Sequence, residues 1–137
     1  LSCFKEINWV ENEDLTELLR GPLLRLSVTY FLEKDPKGRA VDPVARFHLK
    51  NGAELHQINW MADTSDKGIS QAACIMVNYK YDLANIEKNH EQFIKDGIVA
   101  MSPQVRRLLK QGQGTKKSRL QRLRKTMTGK DYRSIAK

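Results

Sequence analysis

The apolar positions in the first part of the chain recur at helical spacing, and turn-forming residues divide them into segments. Residues 11–20 are polar and acidic, and Asn12 near their start is a residue type that caps helix N-termini. Gly21-Pro22 interrupts the pattern, so we predict one helix before it and a second helix beginning at Pro22, because proline is tolerated in a first helical turn. The apolar positions of that second helix are Leu23, Leu26 and Tyr30.

A second pattern frames a short helix between residues 43 and 50. Asp42-Pro43 is typical of a helix start, with Asp42 as the cap, and Asn51-Gly52 is typical of a helix end. A histidine on an apolar helix face is either a core residue with a satisfied ring or a proton-handling group in a dry pocket, and the pattern leaves both open. One face of this helix carries Val44, Phe47 and His48 at positions i, i+3 and i+4.

Two segments in the middle of the chain are predicted as strands. Residues 53–60 form an imperfectly alternating run, and residues 75–81 place apolar or aromatic side chains at every second position. Further helices are expected from Asp82, as a cap, to Gly97 and again from Ser102-Pro103. This order predicts a mixed α/β fold in which helices flank a few strands. Two strands form a poor sheet on their own, so the body is expected to be part of a larger sheet domain.

Charge is distributed unevenly along the 137 residues. The formal net charge is +8, but residues 1–111 hold fifteen basic and fifteen acidic side chains, whereas residues 112–137 hold nine basic side chains and only Asp131 as an acid. The length suits one domain with its own core. We therefore predict a neutral body at residues 1–111 and a basic, disordered tail at residues 112–137.

The two cysteines and the chain start bear on the cellular setting. Cys3 and Cys74 match no metal-binding or redox spacing, so we expect free thiols in a reducing compartment, with Cys74 as a small buried residue. No apolar run approaches the length of a membrane span, and no signal peptide is evident. The chain begins with Leu1 rather than Met, which favours a fragment or a processed product.

The remaining candidate residues receive structural interpretations. Ser65 has no base at a recognisable spacing and is interpreted as a loop serine rather than a nucleophile. His56 and His90 lie in polar surroundings and are expected at the surface. Asn59 and Trp60 are expected to support a pocket wall.

Three stretches of the sequence carry a resemblance to a known family. They are "DPVARFHLKNGA", "INWMADTSDKGIS" and "MVNYKYDLANIEKNHEQF", and together they resemble the C-terminal part of the catalytic domain of malonyl-CoA decarboxylase, in its bacterial-like form. The resemblance implies a fold like that of the acyl-CoA N-acyltransferases. It also implies conversion of malonyl-CoA to acetyl-CoA and carbon dioxide in fatty-acid metabolism, with no cofactor and no metal.

The resemblance also implies which residues act. The family's catalytic histidine corresponds to His48, and a tyrosine of its active site corresponds to Tyr81. We expect Tyr79 and Tyr81 on opposite faces of their strand, with one of them in the core, and the resemblance selects Tyr81. The family's active-site serine and glutamate, and the segment that cradles the CoA pyrophosphate, are expected upstream of this sequence. The isolated chain is therefore expected to be inactive, and the full-length protein is expected to form a homo-oligomer.

The implied reaction suits these residue types. Loss of carbon dioxide from a malonyl thioester leaves an enolate, whose oxygen needs a hydrogen-bond donor and whose carbon needs a proton. An imidazole titrates near neutral pH, and a phenol can donate a hydrogen bond to the departing carboxylate or orient the imidazole. We expect both groups in a water-poor pocket.

A different class of function remains as an alternative. A small non-enzymatic binding module could use the basic C-terminal arm on nucleic acid, because basic segments bind phosphates. The arm contains no recognised reader motif, and the enzymatic interpretation implies neither a specific nucleic acid nor a membrane as partner. The expected location is the cytoplasm, or the mitochondrion if the source is eukaryotic.

Overall fold

The computed structural model of the chain describes residues 9–112. Helices and strands alternate along this range, which confirms the predicted mixture of helix and strand. Cys3 and all of the predicted tail except Gly112 lie outside the described residues. The elements are a 3-10 turn at Trp9–Glu11, α1 at Glu13–Leu32, α2 at Pro43–Lys50, β1 at Glu54–Asn59, α3 at Asp66–Ala72, β2 at Met76–Lys80, α4 at Ile86–Asp96 and α5 at residues 103–112.

Helix α1 is continuous, so the predicted break at Gly21-Pro22 was wrong. The start was predicted correctly, because the Asn12 side chain accepts a hydrogen bond from the Leu15 amide at 3.0 Å. Pro22 lies inside the helix and removes one amide donor from the ladder. Packing explains the continuity: the turns after Pro22 carry the fully buried Val28 and hold further side chains against the core.

Both ends of helix α2 were predicted correctly. At its start, the Asp42 carboxylate accepts a hydrogen bond from the Ala45 amide at 2.7 Å. At its end, Gly52 has φ +79°, and a β-carbon there would lie 2.3 Å from the carbonyl oxygen of Ile86. The turn from α2 into β1 therefore requires glycine, both for its backbone angle and for the close approach of the start of α4.

The two predicted strands form an antiparallel pair. Leu55 lies opposite Tyr79 and Asn59 lies opposite Met76, with an irregularity in the register at His56. This irregularity explains the imperfect alternation of the sequence in β1. The other edge of Leu55 pairs with residues 100–102, since its amide donates to the Ala100 carbonyl at 2.9 Å.

The segment that follows β2 was predicted only in part. Helix α4 begins at Ile86 rather than directly after Asp82, because the Asp82 carboxylate binds the Ala84 amide and the Asn85 side chain and so forms a turn first. Gly97, with φ +65°, ends α4 as predicted. Within residues 9–112, none of the helices combines the length and the apolar character needed to cross a membrane.

The core lies between helices α1, α2, α4 and α5 and the strand pair. Leu55 and Val105 are fully buried at its centre, and Cys74 is buried with a free thiol, as predicted. The buried members of this cluster are Val28, Ala40, Ala45, Leu49, Leu55, Ile58, Ile75, Phe93 and Val105.

Candidate active site

His48 lies on the outer face of α2, and its apolar companions on that face are not in the core. Val44 is 54% exposed and Phe47 is 62% exposed. The buried stripe of this helix consists instead of Ala45 and Leu49, which lie four positions apart. The apolar face that carries His48 is therefore not the core face of α2.

Three aromatic side chains surround the His48 imidazole. Its Nδ1 lies 2.9 Å from the Tyr81 hydroxyl oxygen, within hydrogen-bond distance. The Tyr79 ring stacks on the imidazole with centroids 4.3 Å apart and planes 15° apart. Phe47 contacts it edge-on at 5.2 Å. His48 itself is half-buried, so one ring nitrogen is satisfied and the ring still reaches the surface.

Strand β2 and the turn after it position the two tyrosines. Tyr79 is held in the sheet opposite the fully buried Leu55, and Tyr81 follows the last residue of the strand. The expectation that Tyr79 and Tyr81 lie on opposite faces was wrong, because residues two apart share a face of a strand. Both rings contact His48.

The Tyr79 hydroxyl is buried, and among the described residues it has no hydrogen-bond partner. Burial raises its pKa well above the ordinary value, and the nearby Asp42 and Tyr30 raise it further. Tyr30 donates its own hydroxyl to the Asp42 carboxylate at 3.2 Å, and burial together with that carboxylate raises the pKa of Tyr30 as well. The two phenols therefore stay neutral through the physiological range. Sequence reasoning missed Tyr79, although its two-residue spacing from Tyr81 was the available signal.

The described residues do not enclose His48 in a pocket, so the predicted water-poor pocket is not formed by them. Tyr81 is 42% exposed, and the exposed side of Phe47 borders the same surface. A shallow depression of about 390 Å³ lies elsewhere, at the end of α2 and the start of α4. Residues 9–112 contain no cluster of three or more His, Cys, Asp or Glu side chains suited to a metal ion.

The other predicted residues fall outside this aromatic cluster. Ser65 caps α3 and donates to Asp63, which agrees with a structural role. His90 is exposed and donates to the Lys50 carbonyl, whereas His56 is partly exposed and pairs with Glu54 at 2.7 Å. The support of a pocket wall by Asn59 and Trp60 stays a prediction. Both lie toward the end of the strand pair away from Tyr79, where Asn59 donates to Asn78 and the Trp60 ring lies tilted against that of Trp9 with centroids 5.8 Å apart.

Comparison with known protein families gives a match over most of the sequence. The family model described as "Malonyl-CoA decarboxylase C-terminal domain" matches residues 1–119. The matched range includes every residue of the aromatic cluster around His48.

Individual relatives agree with this match. The mitochondrial malonyl-CoA decarboxylase of Mus musculus is 41% identical over 109 residues, which is 80% of this chain and 22% of the mouse protein. The crystal structure of malonyl-CoA decarboxylase from Rhodopseudomonas palustris has 43% identity and a TM-score of 0.73, covering 77% of this chain and 24% of that one. The structure from Agrobacterium vitis has 44% identity and a TM-score of 0.72, covering 77% and 26%. The chain thus spans about a quarter of the length of these relatives.

Proposed function

The chain belongs to the malonyl-CoA decarboxylase family, and from this premise we propose that it forms the C-terminal part of an enzyme that converts malonyl-CoA to acetyl-CoA and carbon dioxide. The proposal includes an acyl-CoA N-acyltransferase-like fold for the complete catalytic domain, a homo-oligomer and a role in fatty-acid metabolism. The observation that carries it is the contact between His48 and Tyr81 inside the matched segment.

The reaction defines what the site has to supply. The bond between the carboxylate carbon and the α-carbon breaks, carbon dioxide leaves, and the electron pair delocalises onto the thioester as an enolate. A donor facing the thioester oxygen stabilises that charge, and a proton must then reach the α-carbon. Both tasks can be performed by protein groups, so the proposed reaction uses no cofactor and malonyl-CoA is the substrate.

We assign the donor to His48. Within the described residues its Nδ1 contacts only the Tyr81 hydroxyl, and its Nε2 makes no hydrogen bond. If the Tyr81 hydroxyl donates to Nδ1, the neutral ring carries its proton on Nε2. The nitrogen that faces away from the phenol is then an N–H donor for the enolate oxygen or the source of the proton for carbon. In the opposite tautomer Nε2 would be a hydrogen-bond acceptor, and the reaction does not need an acceptor at that position.

Tyr81 orients the imidazole in this proposal. Its hydroxyl can hold the ring in one tautomer, as an orienting partner does in other histidine-dependent sites. Tyr81 is partly exposed, so the same hydroxyl also lies at the surface that a substrate carboxylate would approach.

The remaining parts of the site come from outside this chain in the proposal. The cluster around His48 is open on the side of Phe47 and Val44, and the chain spans 22% of the mouse relative. Upstream residues of a complete family member would cover that side, exclude water and hold CoA. The isolated chain should then lose most of the transition-state stabilisation.

The proposed domain division places the body at residues 1–111 and the basic tail at residues 112–137. The nucleic-acid alternative depends on that tail, which lies almost entirely outside the described residues. The family match covers the body and extends to residue 119, so it favours the enzyme.

The experiment compares the isolated chain with a full-length family member that has this segment as its C-terminal domain. We call that full-length protein the full-length carrier. We expect the carrier to release acetyl-CoA and carbon dioxide in equal amounts from malonyl-CoA. We expect the isolated chain to be at least about 100-fold slower, since groups that each contribute factors of that size are missing. A correctly folded carrier that binds malonyl-CoA without decarboxylating it would contradict the proposal.

A further inference from the structure

We propose that Tyr79 is the positioning residue of this site: its ring, stacked on the His48 imidazole, fixes the plane of the imidazole and thereby commits Nδ1 to Tyr81. The inference rests on the proposed function for its catalytic meaning. The stacking itself concerns the ring of His48 and can be tested without substrate.

The geometry around His48 gives each neighbour a different task. A single hydrogen bond between the Tyr81 hydroxyl and Nδ1 constrains one point of the ring and does not by itself fix the ring plane. A face-to-face contact at 4.3 Å with an interplanar angle of 15° constrains the whole plane. The two contacts together define a single orientation.

Tyr79 is held more firmly than the other ring neighbours of His48. It lies in the paired part of β2 opposite Leu55, which is fully buried, and its hydroxyl end is also buried. Phe47 contacts the imidazole only edge-on and is 62% exposed. A stack on a side chain held at both ends restricts the imidazole more than an edge contact with an exposed side chain.

Without the stack, the imidazole has a second orientation available. The outer torsion of histidine is broad, so an unstacked ring can turn out of the plane in which it stacks on the Tyr79 ring. In that orientation Nδ1 leaves Tyr81 and the donor nitrogen no longer faces the same side. Tyr79 therefore acts through His48 and is not itself a catalytic residue.

The test measures the tautomer of His48 by long-range proton–nitrogen correlation in the ¹⁵N-labelled 137-residue chain. Spectra are recorded at about pH 8.5, where an ordinary imidazole is neutral. The titratable groups in contact with the ring are Tyr79 and Tyr81, and Asp42 and Tyr30 lie near Tyr79. His56 and His90 provide internal references, and single His→Gln variants assign the three signals.

We expect wild type and Tyr79→Phe to show one dominant tautomer, with the proton on Nε2. Tyr79→Val, which keeps a strand-forming residue but removes the ring, should shift the tautomer ratio at least about threefold toward equal populations. Phe47→Val is the matched control, because it removes the edge-on ring contact, and it should leave the ratio unchanged. His56 and His90 should be unaffected in all variants.

Two results would overturn the proposal. One is a Tyr79→Val spectrum in which His48 keeps the wild-type tautomer ratio. The other is a Tyr79→Phe spectrum in which that ratio changes, because the proposal assigns the positioning of His48 to the Tyr79 ring and not to its hydroxyl. If Tyr79→Val does not fold, the chemical shifts of the His48 ring protons in the wild-type chain provide the test. The absence of an upfield ring-current shift would show that the stack on Tyr79 does not persist, which would also overturn the proposal. A carrier without decarboxylase activity would leave these spectra unchanged, so the two failures are distinguishable.

Discussion

The two faces of helix α2 differ in almost every physical respect. The inner face buries Ala45 completely and leaves Leu49 only 2% exposed. The outer face exposes more than half of Val44 and Phe47 and carries His48 between them and the tyrosines. Eight residues thus hold the domain together on one side and present the candidate chemistry on the other. Changes on the inner face should affect folding, and changes on the outer face should affect the site.

The outer face of α2 exposes large apolar side chains next to His48. Large exposed apolar groups beside a candidate site indicate a surface that is covered in the complete protein. This agrees with a chain that spans about a quarter of its relatives. The inner face is buried within this segment, whereas the outer face is exposed.

Replacing Leu49 by Ala should have the largest effect on stability. The side chain is buried against the core, and its loss leaves a cavity that costs about 2–5 kcal/mol of the free energy of unfolding. Urea denaturation of the isolated chain measures this cost. The matched control is Phe47→Ala on the outer face, which should change the same quantity by less than about 0.5 kcal/mol. Equal losses for the two variants would contradict the division between faces.

Gly52→Ala should have the next largest effect. The substitution combines a positive φ with a β-carbon 2.3 Å from the Ile86 carbonyl oxygen, so roughly 2–3 kcal/mol of stability should be lost. Gly38 is the matched control, because its φ of +75° is similar but, apart from its chain neighbours, none of residues 9–112 has an atom within 4 Å of the added β-carbon. Gly38→Ala should cost about 1 kcal/mol. A Gly52→Ala variant as stable as Gly38→Ala would show that the turn does not hold α2 against α4.

Tyr79→Phe should raise the free energy of unfolding, by less than the two preceding variants lower it. It removes a buried hydroxyl without a partner among the described residues, which should raise the free energy of unfolding by about 1 kcal/mol at neutral pH. Burial raises the pKa of Tyr79 in the folded state, so the contribution of Tyr79 to wild-type stability should be constant below about pH 10. That contribution should fall as the pH rises further, because only the unfolded state ionises readily. The Tyr79→Phe variant should not show the part of the decrease in stability at high pH that Tyr79 causes. A variant that is less stable than wild type at pH 7 would indicate that the hydroxyl has a stabilising partner.

The sequence predicted those features of the fold that depend on local chemistry. The caps at Asn12 and Asp42 and the glycine ends of α2 and α4 were all visible, because capping groups and left-handed glycines act within a few residues. The continuity of α1 through Pro22 was not visible. It depends on packing against residues that are distant in the chain, which outweighs one missing hydrogen bond.

The candidate site was predicted in part. His48 and Tyr81 were selected by the resemblance, and they lie within hydrogen-bond distance across 33 positions of sequence. The pattern left open whether His48 lies in the core, and packing decides it, because the helix turns Ala45 and Leu49 inward. The stack of Tyr79 depends on the register of β2 against β1, which side-chain pattern alone does not fix.

The most direct test of the central claim is the turnover of malonyl-CoA by the full-length carrier with His48→Asn. The substitution removes the proposed Nε2 donor from a half-buried position and should lower kcat by about 10²–10⁴-fold with little change in the free energy of unfolding. His90→Asn is the matched control, because His90 is exposed and donates to the Lys50 carbonyl, and it should retain wild-type kcat. A His48→Asn carrier with undiminished turnover would contradict the assignment of His48 as the donor.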